Sequence, residues 1–260
     1  MSKPHAWTAP CGWGIAVLVA IGSSGCATAH QPSGDRPGSA VANRQKSGGS
    51  EPRGELATQP ASRAVLRPGE TAQLFDGQTL AGWRVLAAGA FERHGQVWVK
   101  DGTIVLERGS LQTGIGWQGE TPRNDYEVAL EAMRLDGNDF FCGLTFPVGD
   151  ESCTLIIGGW GGSVVGLSNV DNQSAAENMT SRGMGFDTNR WYAIRLRVTA
   201  ARIEAWIDDE QVIKLDRAQH EFSVWWEQEP ARPLGVATWN TGAALKNISL
   251  RRLPAVGLGP

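Results

Sequence analysis

The chain is poor in the residues that build metal and thiol chemistry. Its 260 residues include four His and four Cys, and the His residues, His94 and His220 among them, stand isolated. Metal centres draw several such ligands from short spacings, so no metal centre is expected. Basic clustering is missing as well. Lys and Arg total 24 against 27 Asp and Glu, a formal net charge of −3. Phosphate backbones are held by clustered cations, which excludes nucleic acid as a partner. No phosphate loop of the G-x-x-x-x-G-K-[ST] type occurs. A long membrane-spanning run is absent too: the apolar stretch Gly12–Ile21 falls short of the ~20 residues a helix needs to cross a bilayer. Aromatic residues are missing between Trp13 and Phe75.

These absences divide the chain. Residues 1–29 read as an export leader, with Lys3, the apolar stretch, and then small residues. Two cleavage readings stand. Ser24-Gly25-Cys26 resembles a lipobox, which would make Cys26 a lipidated first residue and the membrane a partner through that anchor, although Ser23 stands where an aliphatic residue is usual. Ala27-Thr28-Ala29 is an ordinary A-x-A site. Residues 30–67 are rich in Pro, Gly, Ser, Ala, Gln and Arg, too polar to offset their chain entropy by burial. They are expected to be a disordered tether with an r.m.s. span of roughly 35 Å. The destination is the cell envelope or the exterior.

From residue 68 to 255 the pattern changes to short alternating runs, and residues 256–260 are a tail. Tyr192, Ile194, Leu196 and Val198 alternate with Trp191, Arg195 and Arg197, the period of a half-buried strand. Ile203, Ala205 and Ile207 continue the pattern, and Asp208-Asp209 turns the chain into Gln211–Leu215. Asp101-Gly102 between Gln96–Val99 and Thr103–Leu106 is a hairpin signal. Tyr126, Val128 and Leu130 share one parity while Met133 and Leu135 have the other, which predicts a bulge near Glu131 and Ala132. Further strands are expected at Leu155–Gly158, Ser163–Leu167, Leu234–Trp239 and Leu245–Leu253. Ten or more strands without a long amphipathic helix mean an all-β sandwich or barrel. A hairpin turning at Phe146–Gly149 would set Cys142 opposite Cys153, and an exported chain would then form that disulfide.

The run Gln73-Leu74-Phe75-Asp76-Gly77-Gln78-Thr79-Leu80-Ala81-Gly82-Trp83 resembles the opening "LFDG-x-x-L-x-GW" of the 3-keto-disaccharide hydrolase-like domains. Trp98–Ile104, Asn189–Arg195 and Leu245–Leu250 are similar to that family's later landmarks, in the same order. The resemblance implies a concanavalin A-like jelly roll of two antiparallel sheets. It also implies a hydrolase acting on (3-keto-)disaccharides or glycans, with a carbohydrate ligand. Physically, Asp76-Gly77 is a turn, Trp83 fills core, and Asn247 is expected to bond backbone at a strand edge. One departure is plain: the family's middle strand carries a Tyr-Glu pair, and here it reads Cys153-Thr154-Leu155-Ile156-Ile157-Gly158-Gly159-Trp160.

No E-x-D-x-x-E strand is present. Glu127 and Glu131, like Glu204 and Asp208, are four apart, about 13 Å along a strand and beyond the ~5–9.5 Å that paired glycosidase acids need. Candidate catalytic acids are therefore Asp171, Glu177 and Glu227, from separate segments. Candidate sugar-binding residues are the indoles Trp160, Trp226 and Trp239, with Asn169, Asn172 and Arg182 as polar companions. For any one Trp, core filling competes with stacking. Trp225-Trp226 differs, because adjacent strand residues face opposite ways. No cofactor is implied. Asp136-Gly137-Asn138-Asp139 reads either as a turn or as oxygen donors to a structural calcium. Gly158–Gly162 reads as a turn where backbone or ligand approaches closely. Two functions compete with the hydrolase: a non-catalytic carbohydrate-binding module on a surface tether, and a structural or adhesion domain with a filled concave face.

Overall fold

The computed structural model describes residues 66–254. The leader, Cys26 and the rival A-x-A site, the tether up to residue 65 and the tail all lie outside the described residues.

Fifteen strands and two short 3-10 segments make up the described fold, and the strands form two antiparallel sheets. The first sheet runs β13 (Glu210–Asp216), β12 (Arg202–Ile207), β11 (Trp191–Val198), β6 (Tyr126–Asp136), β15 (Gly242–Arg252), β4 (Thr103–Leu106) and β3 (Val97–Lys100), with β1 (Thr71–Gln73) also pairing to β15. The second runs β10 (Arg182–Gly183), β9 (Val164–Ser168), β8 (Glu151–Gly159), β7 (Cys142–Val148), β14 (Gly235–Trp239), β5 (Gln112–Trp117) and β2 (Trp83–Val85). This is the jelly-roll sandwich that the alternation and the resemblance imply. Among the described residues no helix is long and apolar enough to cross a membrane.

The core lies between the sheets. Val128, Leu130, Ile194, Leu196 and Ile203 from the first sheet meet Leu144, Phe146, Leu155, Ile157 and Val236 from the second, all buried. Tyr126 fastens the layers: its hydroxyl donates to the Pro147 carbonyl at 2.5 Å, and burial raises its pKa well above the usual phenol value. Turn chemistry follows the sequence. Lys100 pairs with Thr103 across Asp101 (φ 49°) and Gly102 (φ 74°), the two left-handed residues of a tight hairpin. Asp76 accepts from the Gln78 and Thr79 amides and the Thr79 hydroxyl, which hold its pKa down to about 2, and Gly77 (φ 77°) completes the turn. Trp83 is buried and donates its indole N–H to the Leu74 carbonyl. These contacts give the opening motif its structural role.

Three expectations are corrected. The β7–β8 hairpin turns at Gly149-Asp150, so Cys153 pairs with Phe146 and Cys142 with Ile157. The two cysteines are then four positions apart along the ladder, about 13 Å, far beyond the ~7 Å limit for a bridge. Both are buried free thiols, with pKa values pushed up to about 12 by burial. Second, β6 has no bulge at Glu131 and Ala132, which pair in step with Lys246 and Leu245; its extra residue against β15 is Leu135, between Asp136 and Arg134. Its burial alternates without a break, so Met133 and Leu135 face outward and Arg134 faces in. Past Glu131 the extra residue sits on the partner: Lys246 pairs with Glu131 and Ser249 with Ala129, three steps against two. Third, Asn247 is not at an edge. It takes the left-handed conformation of that bulge (φ 53°) in a central strand and donates to Glu131 Oε1 at 2.6 Å.

Candidate functional site

The outer face of the second sheet is nearly closed. Gly143 and Thr145 on β7, Thr154 and Ile156 on β8, Gly114 on β5 and Ala237 on β14 all point away from the core. Over them lie the 3-10 segments Gly89–Phe91 and Trp226–Ala231. Leu86, Phe91, Phe140, Ile156, Ala175, Ala231 and Ala237 form a second apolar cluster beneath this cover. The glycines are small for a reason: a Cβ on Gly114 would stand 2.9 Å from the Phe91 ring and 2.8 Å from the Val236 carbonyl.

The cover stops short of the whole face and leaves a cavity of about 620 Å³. Thr154, Ile156 and Ser168 are on its sheet side, with Gln112 and Trp239 beside them. Gln112 and Trp239 are register partners in the β5–β14 ladder, so their side chains rise on the same face. Trp226, Glu227 and Gln228 line it from the 3-10 segment and Trp225 from the extended residue before it, Ser174, Ala176 and Glu177 from the loop after β9, and Asp139, Phe140 and Trp160 from the loops flanking β7 and β8. Trp160, Trp225 and Trp226 are 47%, 44% and 64% exposed. Half of the large exposed apolar side chains of the described residues thus ring one opening, and such patches mark ligand grooves.

Arg134 organises one wall. Its guanidinium sits inside the end of the sandwich and donates to the carbonyls of Phe186, Asp139, Gly158 and Gly162 at 3.1–3.4 Å. The Phe141 ring lies 5.1 Å from its Cζ, and burial lowers its pKa. Gly158 (φ 78°) is required here, since a Cβ would lie 2.5 Å from Arg134 Nη2. The close approach expected of Gly158–Gly162 is that of this guanidinium. It pins the turn that presents Trp160, itself left-handed at φ 47°.

Two cavity carboxyls are tuned in opposite directions. Asp139 Oδ1 accepts from the Phe140 amide at 2.7 Å and the Trp160 amide at 3.1 Å. Burial outweighs these bonds and the nearby Arg134 charge, so its pKa is raised. Glu177 Oε2 accepts from the Ser174 hydroxyl at 2.6 Å and the Ser174 amide at 3.2 Å, which lower its pKa. With the Glu177 amide donating back to the Ser174 carbonyl at 3.0 Å, that pairing fixes the loop. Asn178 fixes the same loop by donating to the carbonyls of Leu167, Gln173 and Ser174.

Of the sequence candidates, Glu177, Glu227, Trp160, Trp226 and Trp239 come together in this cavity. The others line different places. Asp171 bonds His220 Nδ1 at 2.7 Å and the Glu221 amide, and its pKa is lowered chiefly by that amide. Asn169 is buried and donates to Ser223 Oγ at 3.3 Å. Asn172 is an exposed left-handed turn residue. Arg182 pairs with Glu210 at 2.7 Å. Among residues not singled out as sugar contacts, the cavity adds Asp139, Gln112 and Gln228. In the sequence Asp139 belongs to the turn Asp136-Gly137-Asn138-Asp139. Asp136 Oδ1 there accepts from the Gly242 amide at 3.1 Å, and among the described residues no cluster of three or more His, Cys, Asp or Glu is placed to hold a metal.

A two-sheet jelly roll carrying an indole-ringed cavity on one outer face defines a fold of the carbohydrate-binding or glycoside-hydrolase-like class. The chain belongs to the family of 3-keto-alpha-glucoside-1,2-lyase-like domains, whose model matches residues 70–251. A search of curated proteins found no match. Among solved structures the chain is similar to the carbohydrate-binding module CBM66 from Bacillus subtilis, at 14% identity over 65% of this chain and 95% of that one, with a TM-score of 0.45. It is similar to the Crh5 transglycosylase in complex with NAG at 11% identity over 72% and 84%, with a TM-score of 0.49. It is also similar to the Emp46p carbohydrate recognition domain at 11% identity over 67% and 90%, with a TM-score of 0.44.

Proposed function

We propose that the domain binds a glycoside in the indole-ringed cavity and cleaves its glycosidic bond, with α-glucosides and their 3-keto forms as the substrate class that family membership suggests. One observation carries this reading: four indoles and three carboxyls, Asp139, Glu177 and Glu227, line a single cavity. Sugars stack on indole faces while carboxyls bond their hydroxyls. The opposite tuning of Asp139 and Glu177 is the pattern of an acid and a base. Asp139 holds its proton to higher pH and donates it to the departing glycosidic oxygen. Glu177 stays ionised. On a 3-keto sugar it takes the proton from the carbon beside the ketone, and the bond to the aglycone breaks as the new double bond forms. On an ordinary glycoside, Glu177 or Glu227 activates water instead.

A second reading, a non-catalytic sugar-binding module, is favoured by β8. That strand turns Thr154 and Ile156 toward the cavity and brings no acid to it. Both readings are tested together. Release of glucose or 3-keto-glucose is assayed from trehalose, sucrose, maltose and their 3-keto derivatives, with indole fluorescence reporting binding. Cleavage that is lost in Asp139→Asn while binding persists supports the enzyme. Binding without turnover supports the module, and no binding removes both.

We place the protein at the cell envelope, carried by the leader of residues 1–29 and tethered by residues 30–67. Incorporation of labelled fatty acid that disappears in Cys26→Ala supports a lipid anchor. A secreted, unlabelled chain supports cleavage at Ala27-Thr28-Ala29.

A further inference from the structure

The cavity contains two polar groups that the fold leaves unanswered. Gln112 and Gln228 are 1% and 4% exposed. Among the described residues, their Oε1 atoms are the only buried side-chain carbonyl oxygens to which no protein group donates. They come from unconnected parts of the chain, β5 and the 3-10 segment Trp226–Ala231, yet both side chains line the same cavity. The protein hydrogen-bonds most of its other buried amides, as Asn178 shows with three carbonyl acceptors and two Thr180 donors. Native interiors satisfy nearly all such groups, so a pair of exceptions at one place calls for a reason.

We propose that Gln112 and Gln228 form a hydroxyl-reading subsite, in which each carbonyl oxygen accepts an O–H from the ligand. The proposal rests on the sugar-cavity reading and adds what the cavity selects. Gln112 stands beside Trp239 on the sheet face, so a ring stacked on that indole presents its rim to the amide. The selected feature is a free hydroxyl at each of two ring positions. A deoxy or O-methylated ring leaves a buried acceptor without a donor, and a site built this way rejects such analogues. The indoles alone do not discriminate in this manner, because an aromatic face accepts any apolar ring face.

The proposal also sets a sign for stability. An acceptor that awaits a ligand is a liability in the free protein, and an apolar side chain of the same length removes it. Gln112→Met and Gln228→Met are compared with wild type by thermal unfolding without ligand. The same proteins are titrated with maltose, trehalose, methyl α-glucoside and the monodeoxy methyl α-glucosides, read by indole fluorescence. The expected result is an unchanged or raised Tm in both variants. Sugar affinity should fall roughly fivefold to tenfold, and each variant should lose its penalty against one deoxy position. A Tm lower by more than about 3 °C would mean that the amides are structural, and the proposal fails. Wild-type binding with unaltered affinity and deoxy preference in both variants also overturns it, while the sugar cavity stands. Failure of wild type to bind any of these sugars removes the cavity reading and this one with it.

Discussion

The two sheets of this sandwich share a pleat and a core, but their outer faces carry opposite chemistry. The outer face of the first sheet is a polar ladder. Glu127 accepts from Arg195 and Arg197, and Arg195 stacks 3.7 Å from the Trp206 ring centroid. Lys246 sits over Trp191 at 4.2 Å and pairs with Glu131 at 3.1 Å. Burial along β6, β11 and β12 alternates accordingly. The outer face of the second sheet is small, apolar and covered, so β5 and β7 are buried at every position. A solvated face supports itself by charge pairs worth little each. A covered face requires a lid, and where that lid stops a cavity remains. Aromatic residues show the same division. Trp206 and Trp191 are planes for cations, whereas Trp160, Trp225, Trp226 and Trp239 surround an opening.

The comparison breaks most sharply under a charge. Ala237→Lys places an unpaired ammonium beneath the cover and is expected to destabilise by about 3–5 kcal/mol. Ala193→Lys on the open face, opposite Glu131, should stay within about 0.5 kcal/mol. Urea unfolding of the two variants measures both; similar values would mean that the second sheet is not covered. Next in size is an indole deletion. Trp239→Ala is expected to weaken maltose or trehalose binding tenfold or more, on the order of an interface anchor. Trp206→Ala should leave binding unchanged and remove about 0.5–1 kcal/mol of stability. Fluorescence titration and unfolding separate the two roles.

A smaller effect tests the tuning of Asp139. A carboxyl whose folded pKa is raised binds its proton more tightly folded than unfolded. Its ionisation therefore subtracts stability as pH rises above the ordinary value of 3.8, until the raised folded pKa is passed. Asp139→Asn removes that dependence, so the variant should gain on wild type between pH 3 and pH 7. Unfolding at both pH values reads the difference, and a gain confined to the acid side refutes the raised pKa. Smallest is Glu127→Gln on the polar ladder. A loss below about 1 kcal/mol is expected, shrinking with added salt.

Legibility in the sequence divides along the same line. Tyr126–Leu130, Trp191–Val198 and Ile203–Ile207 announce themselves because water on one side enforces alternation. β5 escaped notice. Its run Gln112-Thr113-Gly114-Ile115-Gly116-Trp117 is Gly-rich, and covering it removed the polar positions that mark a strand. Met133 and Leu135 suggest a bulge at Glu131 and Ala132 because they are apolar, yet they face outward and the inward residue is Arg134. The disulfide failed on a shift of the turn to Gly149-Asp150, which moves every partner along the ladder. Trp226, Trp239, Glu177 and Glu227 were legible as candidates by residue type. Asp171 and Arg182 share those types but are held by local partners, His220 and Glu210.

The sequence by itself determined the strand-rich class, the hairpin turns and the family, because alternation, Asp-Gly pairs and the opening motif are local and survive without long-range contacts. Only the tertiary structure decided which carboxyls and indoles face one another, and that Gln112, Asp139 and Gln228 join them. Those residues come from separate segments spread between positions 112 and 239, and burial and pairing between distant segments leave no local mark on the residues themselves.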